Sequence, residues 1–415
     1  MTARATAGEP LARLRDHLES ERAACLGLLE ELVAIESHAT QRDGVEAVGD
    51  VIARELEAVG FTTRRVPGAR VPPEARWLEA VMLPGFDFAG LAAHRVSRKT
   101  GPGRGRVLIL GDLDTAFPPG AAARFPFRVA DGRACGPGVA DMKGGLVTAV
   151  SALQALAATG LESLGEVVCV WSADEQAGSL TARTVIEAAA READWAFCME
   201  CAREGGQLMG ARAQIGVGLL EVAGREAHTG SAYAEGASAI EAMARKITAI
   251  HALTDPAREV YLNVGTVRGG WRRSVVAGRA DATLDVRTPG PAAWDEVASA
   301  LQTIAARADV PGTTGSLRLA SHRPAVPWTT ATDRLLGIAR EVGDALGVPI
   351  AALRSPAAGS SAFVGPAGVP CLDGMGPSGG GLMTDQEHVV VAALPERAAL
   401  LAGMLHALGT GAWSR

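Results

Sequence analysis

No stretch of this 415-residue chain reaches the ~18–20 consecutive apolar residues that a membrane-spanning helix needs. The opening Met1-Thr-Ala-Arg-Ala-Thr-Ala-Gly-Glu-Pro10 has no apolar centre ahead of the charged Arg13, Arg15 and Asp16, so no signal peptide is expected. Six cysteines spread over such a length do not make a disulfide framework. A net charge of −6 is too mild, and of the wrong sign, to favour a nucleic acid as partner. Internal repeats and low-complexity tracts are also missing. These absences predict a cytoplasmic protein with neither membrane nor nucleic acid as partner.

What is present fits that class. Hydrophobic residues make up 48% and charged residues 21%, which describes a globular chain. The length is enough for two domains with full cores. From Leu11 to Ser37 apolar residues recur at helical spacing, and Asp43 to Val59 repeats the pattern. Thr62 to Val66 reads as a short strand, whereas residues 67–105 read as loop, broken by Pro67, Pro72, Pro73, Pro84 and Gly85.

Alternating strands and helices then run to about Met209, which implies a mostly parallel sheet. Arg106-Val-Leu-Ile-Leu110 leads into Gly111-Asp-Leu-Asp-Thr115. Glu166-Val-Val-Cys-Val-Trp-Ser172 ends in Asp174-Glu175-Gln176, and Trp195-Ala-Phe-Cys-Met199 ends at Glu200. Between them lies a glycine-rich turn, Gly136-Pro-Gly-Val-Ala-Asp-Met-Lys-Gly-Gly145, with Asp141 at a loop-to-helix junction. Acids at the exits of successive strands of an α/β sheet are where a site is expected.

From Ala211 the pattern changes to alternating strands (215–223, 260–267, 280–287 and around Leu317) with helices over 238–253 and 292–308. The earlier pattern returns near Arg323. An α/β domain of residues 1–210 and 323–415, carrying an inserted α+β domain over 211–322, is therefore expected.

The motifs and their order resemble the M20 metallopeptidase family, especially its glutamate carboxypeptidase-like branch. There the first strand ends in Gly-His-x-Asp-Thr, followed by Gly-x-Gly-x-x-Asp-Met-Lys-Gly-Gly, then Asp-Glu-Glu-x-Gly-Ser, an acid after another strand, and a late His. The resemblance implies two divalent metals sharing one carboxylate, a Glu that takes the proton of a water, and a lid domain that pairs two subunits. By that correspondence Asp141 bridges, Glu175 is the general base, Asp114 orients a ligand, and Glu200 is a terminal ligand.

Three positions depart from the pattern. Asp112 replaces the first His, Gln176 the second Glu, and Met383 the late His, with His388 a few residues on as a substitute only after a register shift. Gln and Met offer little to Zn²⁺, so a two-zinc site is not expected. Asp112, Asp141 and Glu200 are left as an all-oxygen set that suits Mg²⁺, Mn²⁺ or Ca²⁺ better than Zn²⁺, so the expectation is one divalent ion or none. Close carboxylates without a cation would repel and raise at least one pKa.

The resemblance also places His228, in Arg225-Glu-Ala-His228, as the lid His that stabilises an oxyanion in the partner's site. Arg287 would hold a substrate carboxylate. The expected lid Asn is Ser274, and the Gly-x-Ser-Asp turn is Gly359-Ser-Ser-Ala362, which keeps Ser361 and loses the acid. Ser274 and Ser361 join Arg287 as expected substrate contacts. Cys198 and Cys201 bracket Glu200; a redox or metal role is open to them, but a strand-end Cys more often packs as a small apolar residue. Three functions follow: an M20-type amide hydrolase on a small carboxylate-bearing substrate, a metal-independent acyl transferase or cyclase on the same scaffold, or a binding protein. Retention of Glu175, Asp114, Asp141 and His228 argues against the last.

Overall fold

The computed structural model describes residues 3–203 and 205–411. Helices α1 (Ala3–Ser20) and α2 (Arg22–Ala34) open the chain, followed by α3 (Arg42–Glu57) and strand β1 (Thr62–Val66). Contacts divide the chain into two compact units, one of residues 1–211, 328–354 and 359–415, the other of residues 212–327 and 355–358.

The first unit is built on a sheet that continues through β2 (His94–Thr100), β3 (Arg104–Asp112), β4 (Leu164–Ser172) and β5 (Trp195–Cys198). Its order is β1-β2-β4-β3-β5, with the late strand Cys371–Leu372 added beside β5. The inner strands β3, β4 and β5 pair in parallel, as does Cys371–Leu372, whereas β1 and β2 run antiparallel at one edge. Val107, Leu108, Ile109 and Leu110 are fully buried, because a parallel strand covered on both faces has no solvent side. Helix α4 (Gly144–Thr159) covers one face, and α5 (Arg183–Ala190) packs with β4 on the other.

Strand β2 lies inside the segment expected to be loop. Its sequence His-Arg-Val-Ser-Arg-Lys-Thr looks too polar for a strand, yet His94, Arg95 and Ser97 are buried. Their polar groups are all paired: the Trp171 indole donates to Ser97 Oγ at 3.1 Å, and the Arg95 guanidinium donates to Glu46 and Asp50. Buried polar groups are tolerated when their hydrogen bonds are met.

The second unit is a four-stranded antiparallel sheet backed by two helices. In chain order it holds β6 (Gln214–Ala223), α6 (Ala239–His251), β7 (Tyr261–Gly269), β8 (Arg279–Thr288), α7 (Pro291–Ala306) and β9 (Thr314–Arg323). The sheet order is β7-β8-β6-β9. Leu220, Val222, Ala280, Ala282 and Leu284 alternate inward against Met243, Ile250, Leu301 and Ile304 of the helices. The return to the first unit falls at Trp328 rather than Arg323, because Val326 still pairs with Arg212. Helix α8 (Thr330–Leu346), strand Cys371–Leu372 and the closing helix α9 (Ala393–Thr410) complete the first unit, with α9 packed on α4 and α1.

Candidate metal and active site

Parallel strands deliver their C-terminal ends to one edge of the sheet, and the acids follow. Asp112 ends β3, Glu175 and Gln176 follow β4, and Glu200 follows β5. One oxygen each from Asp112, Glu175 and Glu200 lie within 4.8 Å of one another. Asp112 is 1% exposed; its Oδ1 accepts from Ser360 Oγ at 3.1 Å, while its Oδ2 is buried without a hydrogen-bond partner among the described residues.

Asp114 does not join that convergence. Its carboxylate accepts the Glu175 NH at 2.9 Å and the Gln176 NH at 2.8 Å, which fixes the turn on which Glu175 stands. Burial drives the Asp112 carboxyl well above its ordinary range, and the charges of Glu175, Glu200, Asp114 and Asp141 push it further. Asp114 is raised too, first by burial and then by Glu175 and Asp174, against the two backbone NH bonds.

Asp141 sits in the tight turn Val139–Lys143 that opens α4, 7% exposed, with a cis peptide bond to Met142. Its Oδ1 accepts from Gln176 Nε2 at 3.1 Å. Sequence reasoning missed what holds this turn. The buried Glu387 accepts the Ala140 and Asp141 NH groups on one oxygen, at 2.9 and 3.1 Å, and the Met383 NH on the other at 2.9 Å. The Lys143 ammonium, fully buried, donates to the carbonyls of Leu32 and Ile35, and burial lowers its pKa to about 7. The only sequence signal for Glu387 is an acid beside the late turn.

Met383 is 56% exposed, and the His388 ring donates from Nδ1 to the Gln386 carbonyl at 2.9 Å from a strand paired with Ala134 and Cys135. Ser361 donates to the Asp373 carboxylate, whereas its neighbour Ser360, not singled out in the sequence, meets Asp112. Cys198 and Cys201 are buried free thiols; burial raises both, Cys201 to about 12. Cys201 donates to the carbonyls of Ala202 and Pro377. A protonated, buried thiol is inert as nucleophile and ligand.

A divalent cation fits the converging carboxylates. An orphaned buried oxygen, Asp112 Oδ2, has no partner among the described residues, and carboxylate oxygens are ordinary ligands of divalent cations. The oxygens that converge are those of Asp112, Glu175 and Glu200, with Asp141 beside them and tied to the Gln176 amide.

In the second unit, His228 lies on the two-residue strand Ala227–His228, paired with Val275–Val276. Its Nδ1 accepts from the Gly230 and Ser231 NH groups at 3.1 and 3.2 Å, so the proton rests on Nε2, which faces outward on an exposed side chain. Ser274 offers its carbonyl to the Thr229 NH at 3.1 Å. Arg287 donates from Nε to Asp285 at 2.8 Å and from Nη1 to the Pro356 carbonyl at 3.2 Å.

Residues 108–407 match the profile of peptidase family M20/M25/M40. Carboxypeptidase G2 of Pseudomonas sp. (strain RS-16) is 26% identical over 416 residues, covering 98% of this chain and 95% of that protein. A succinyl-diaminopimelate desuccinylase of Xanthomonas oryzae pv. oryzae (strain PXO99A) is 27% identical over 382 residues, covering 85% of this chain and 99% of that one. Among solved structures, a Staphylococcus aureus tripeptidase superposes with a TM-score of 0.73 at 18% identity, covering 94% of this chain and 99% of its own. The di-peptidase Dug1p of Saccharomyces cerevisiae gives 0.73 at 14% identity, covering 96% and 98%.

Proposed function

Given that the chain belongs to peptidase family M20/M25/M40, and is thereby a hydrolase of the peptidase type, we propose that it cleaves an amide bond of a small carboxylate-bearing substrate with one divalent cation. The observation that carries this reading is the convergence of one oxygen each from Asp112, Glu175 and Glu200 within 4.8 Å, together with an Asp112 Oδ2 that has no hydrogen-bond partner among the described residues. Asp112 and Glu200 would hold the cation, with Asp141 at its side. A bound cation supplies polarisation of a carbonyl and a lowered pKa for water. Glu175, its backbone pinned by Asp114, takes the proton of the attacking water and returns it to the leaving amine.

His228 donates from Nε2 to the developing oxyanion, the Arg287 guanidinium holds the substrate carboxylate, and Ser274, whose carbonyl accepts the Thr229 NH next to His228, contacts substrate on the His228 side. Ser361 acts through Asp373 rather than on the substrate. A homodimer through the second unit is part of this reading, with His228 acting in the site of the other copy. It is supported by β7, an edge strand whose Val267 is 58% exposed, flanked by Trp271 at 68% and Ile240 at 47%.

A second reading, metal-independent acyl transfer or cyclisation, is favoured by one feature. The Gln176 amide already donates to Asp141, and burial raises the Asp112 and Asp114 carboxyls, which favours their neutral forms and lessens repulsion without a cation. Elemental analysis and chelation separate the two. One Mn²⁺ or Mg²⁺ per chain, with hydrolysis of N-acyl amino acids or dipeptides abolished by chelator and restored by either ion, supports the hydrolase. Activity indifferent to chelator supports the second reading, and two zinc ions per chain overturn both.

A further inference from the structure

The segment between β1 and β2 is the part of the first unit that the catalytic reading leaves without a task. It carries the short helix Trp77–Met82 and is anchored by a separate apolar cluster, in which Phe88 and Leu91 bury against Ala39 and Ala177. Between this segment, the start of α3 and Thr181 lies a cleft of about 600 Å³. Three arginines line it: Arg42, Arg70 and Arg76.

None of the three makes a side-chain hydrogen bond or ion pair among the described residues. Arg54, Arg65, Arg95, Arg98, Arg106 and Arg183 of this unit are paired with carboxylates, whereas Arg64, Arg104, Arg128 and Arg133 are not among the described residues; what distinguishes Arg42, Arg70 and Arg76 is that the three share one cleft. Two acids also border the cleft, Glu79 and Asp87, but neither comes within ion-pair distance of the three arginines, and Asp87 is occupied in accepting the Ala89 NH at 2.9 Å. Arg42 is the first residue of the 16-residue α3, whose N-cap, Gln41, makes no capping bond. The Gln41 side chain is turned away, accepting from the His38 NH and donating to Glu36. The uncapped first turn adds its partial positive charge to that of the guanidinium.

We propose that this cleft binds the oxyanion of a small molecule, a phosphate or a carboxylate group, through Arg42, Arg70 and Arg76. Planar guanidinium forks match the paired oxygens of both groups. The site is separate from the acid cluster, whose negative charge repels such a ligand, and it does not depend on the hydrolytic reading. It does share an element with that cluster. Thr181, at the cleft wall, donates from Oγ1 to the Asp174 carboxylate at 2.8 Å, and Asp174 directly precedes Glu175.

Titration calorimetry on the full chain tests this with inorganic phosphate and with glutarate, at ionic strength held constant with chloride. One saturable site for either anion is expected, and Arg70→Ala/Arg76→Ala should weaken it by at least ~10-fold, since each lost charge-assisted bond is worth that much. Both arginines are exposed, so the variant should keep its fold by circular dichroism. Phosphate alone binding assigns a phosphate-bearing ligand; glutarate alone, or both, assigns a carboxylate-accepting site. No saturable binding of either, or equal affinity in the double variant, overturns the proposal. The double variant retains the acid cluster, so binding to any cation held there would persist in it and be recognised.

Discussion

At the scale of single residues, Glu175 separates a working enzyme from an inert relative. Glu175→Gln keeps its shape and its backbone bond to Asp114 while removing the base, so turnover should fall by ~10²-fold or more with KM little changed. Full activity in steady-state assays of that variant would remove Glu175 from the chemistry. Asp112→Asn should reduce divalent-ion affinity, read by calorimetric titration with Mn²⁺, because it replaces an oxygen of the converging set. Arg95 makes the complementary structural case. It is 1% exposed and donates to Glu46 and Asp50. Burial opposes the ionised form of Glu46, yet the Ala93 NH and Arg95 outweigh it and hold the carboxyl below its ordinary value of 4.5. The folded protein therefore binds fewer protons than the unfolded chain near that pH. The contribution is complete above about pH 4.5 and is lost as pH falls through the depressed value. Arg95→Leu should cost ~3 kcal/mol in urea denaturation at pH 7, and the gap from the parent should narrow as the Glu46 carboxylate is protonated in acid.

At the scale of elements, α4 and β5 meet too closely for any side chain between them. A Cβ on Gly145 would stand 1.9 Å from the Met199 carbonyl oxygen, on the residue that precedes Glu200. Gly145→Ala should therefore cost ~1–3 kcal/mol and shift Glu200 against Asp141, lowering cation affinity along with the melting temperature. Gly27, inside α2, has nothing within 4 Å of its Cβ position, so Gly27→Ala should stabilise by ~0.5–1 kcal/mol. These elements also show what was legible beforehand. Strands β3, β4 and β5 announced themselves as apolar runs, so the acids at their ends were placed from sequence alone. Strand β2 did not, since its buried Arg95 and Ser97 depend on partners remote in the chain. The adjacent hydroxyls of Ser360 and Ser361 were indistinguishable until a 3₁₀ turn sent one to Asp112 and the other to Asp373. Nor does a sequence show that the Gln176 amide donates to Asp141.

At the scale of the molecule, the inserted unit has its own core and an exposed edge strand, and its assembly is measurable. Val267→Lys with Trp271→Glu should leave that core intact, both side chains being exposed, and, if copies pair through this edge as proposed, give a monomer in light scattering where the parent gives a dimer. If His228 acts in a neighbouring copy, the monomer should lose turnover while keeping its bound cation. A parent protein that is monomeric at working concentration would end that reading. The insertion has one more property worth following. Arg212 and Val326 exchange both of their backbone hydrogen bonds, NH to carbonyl at 3.1 and 3.0 Å, so the chain enters and leaves the second unit through one rung of a ladder. Its ends are therefore already joined in space. The unit is a cassette: a turn of a few residues could close the gap it would leave, and a foreign domain with neighbouring termini could be spliced in at the same rung. Only the strip Ser355–Ala358, which belongs to the cassette but lies far along the chain, would have to be redesigned with it.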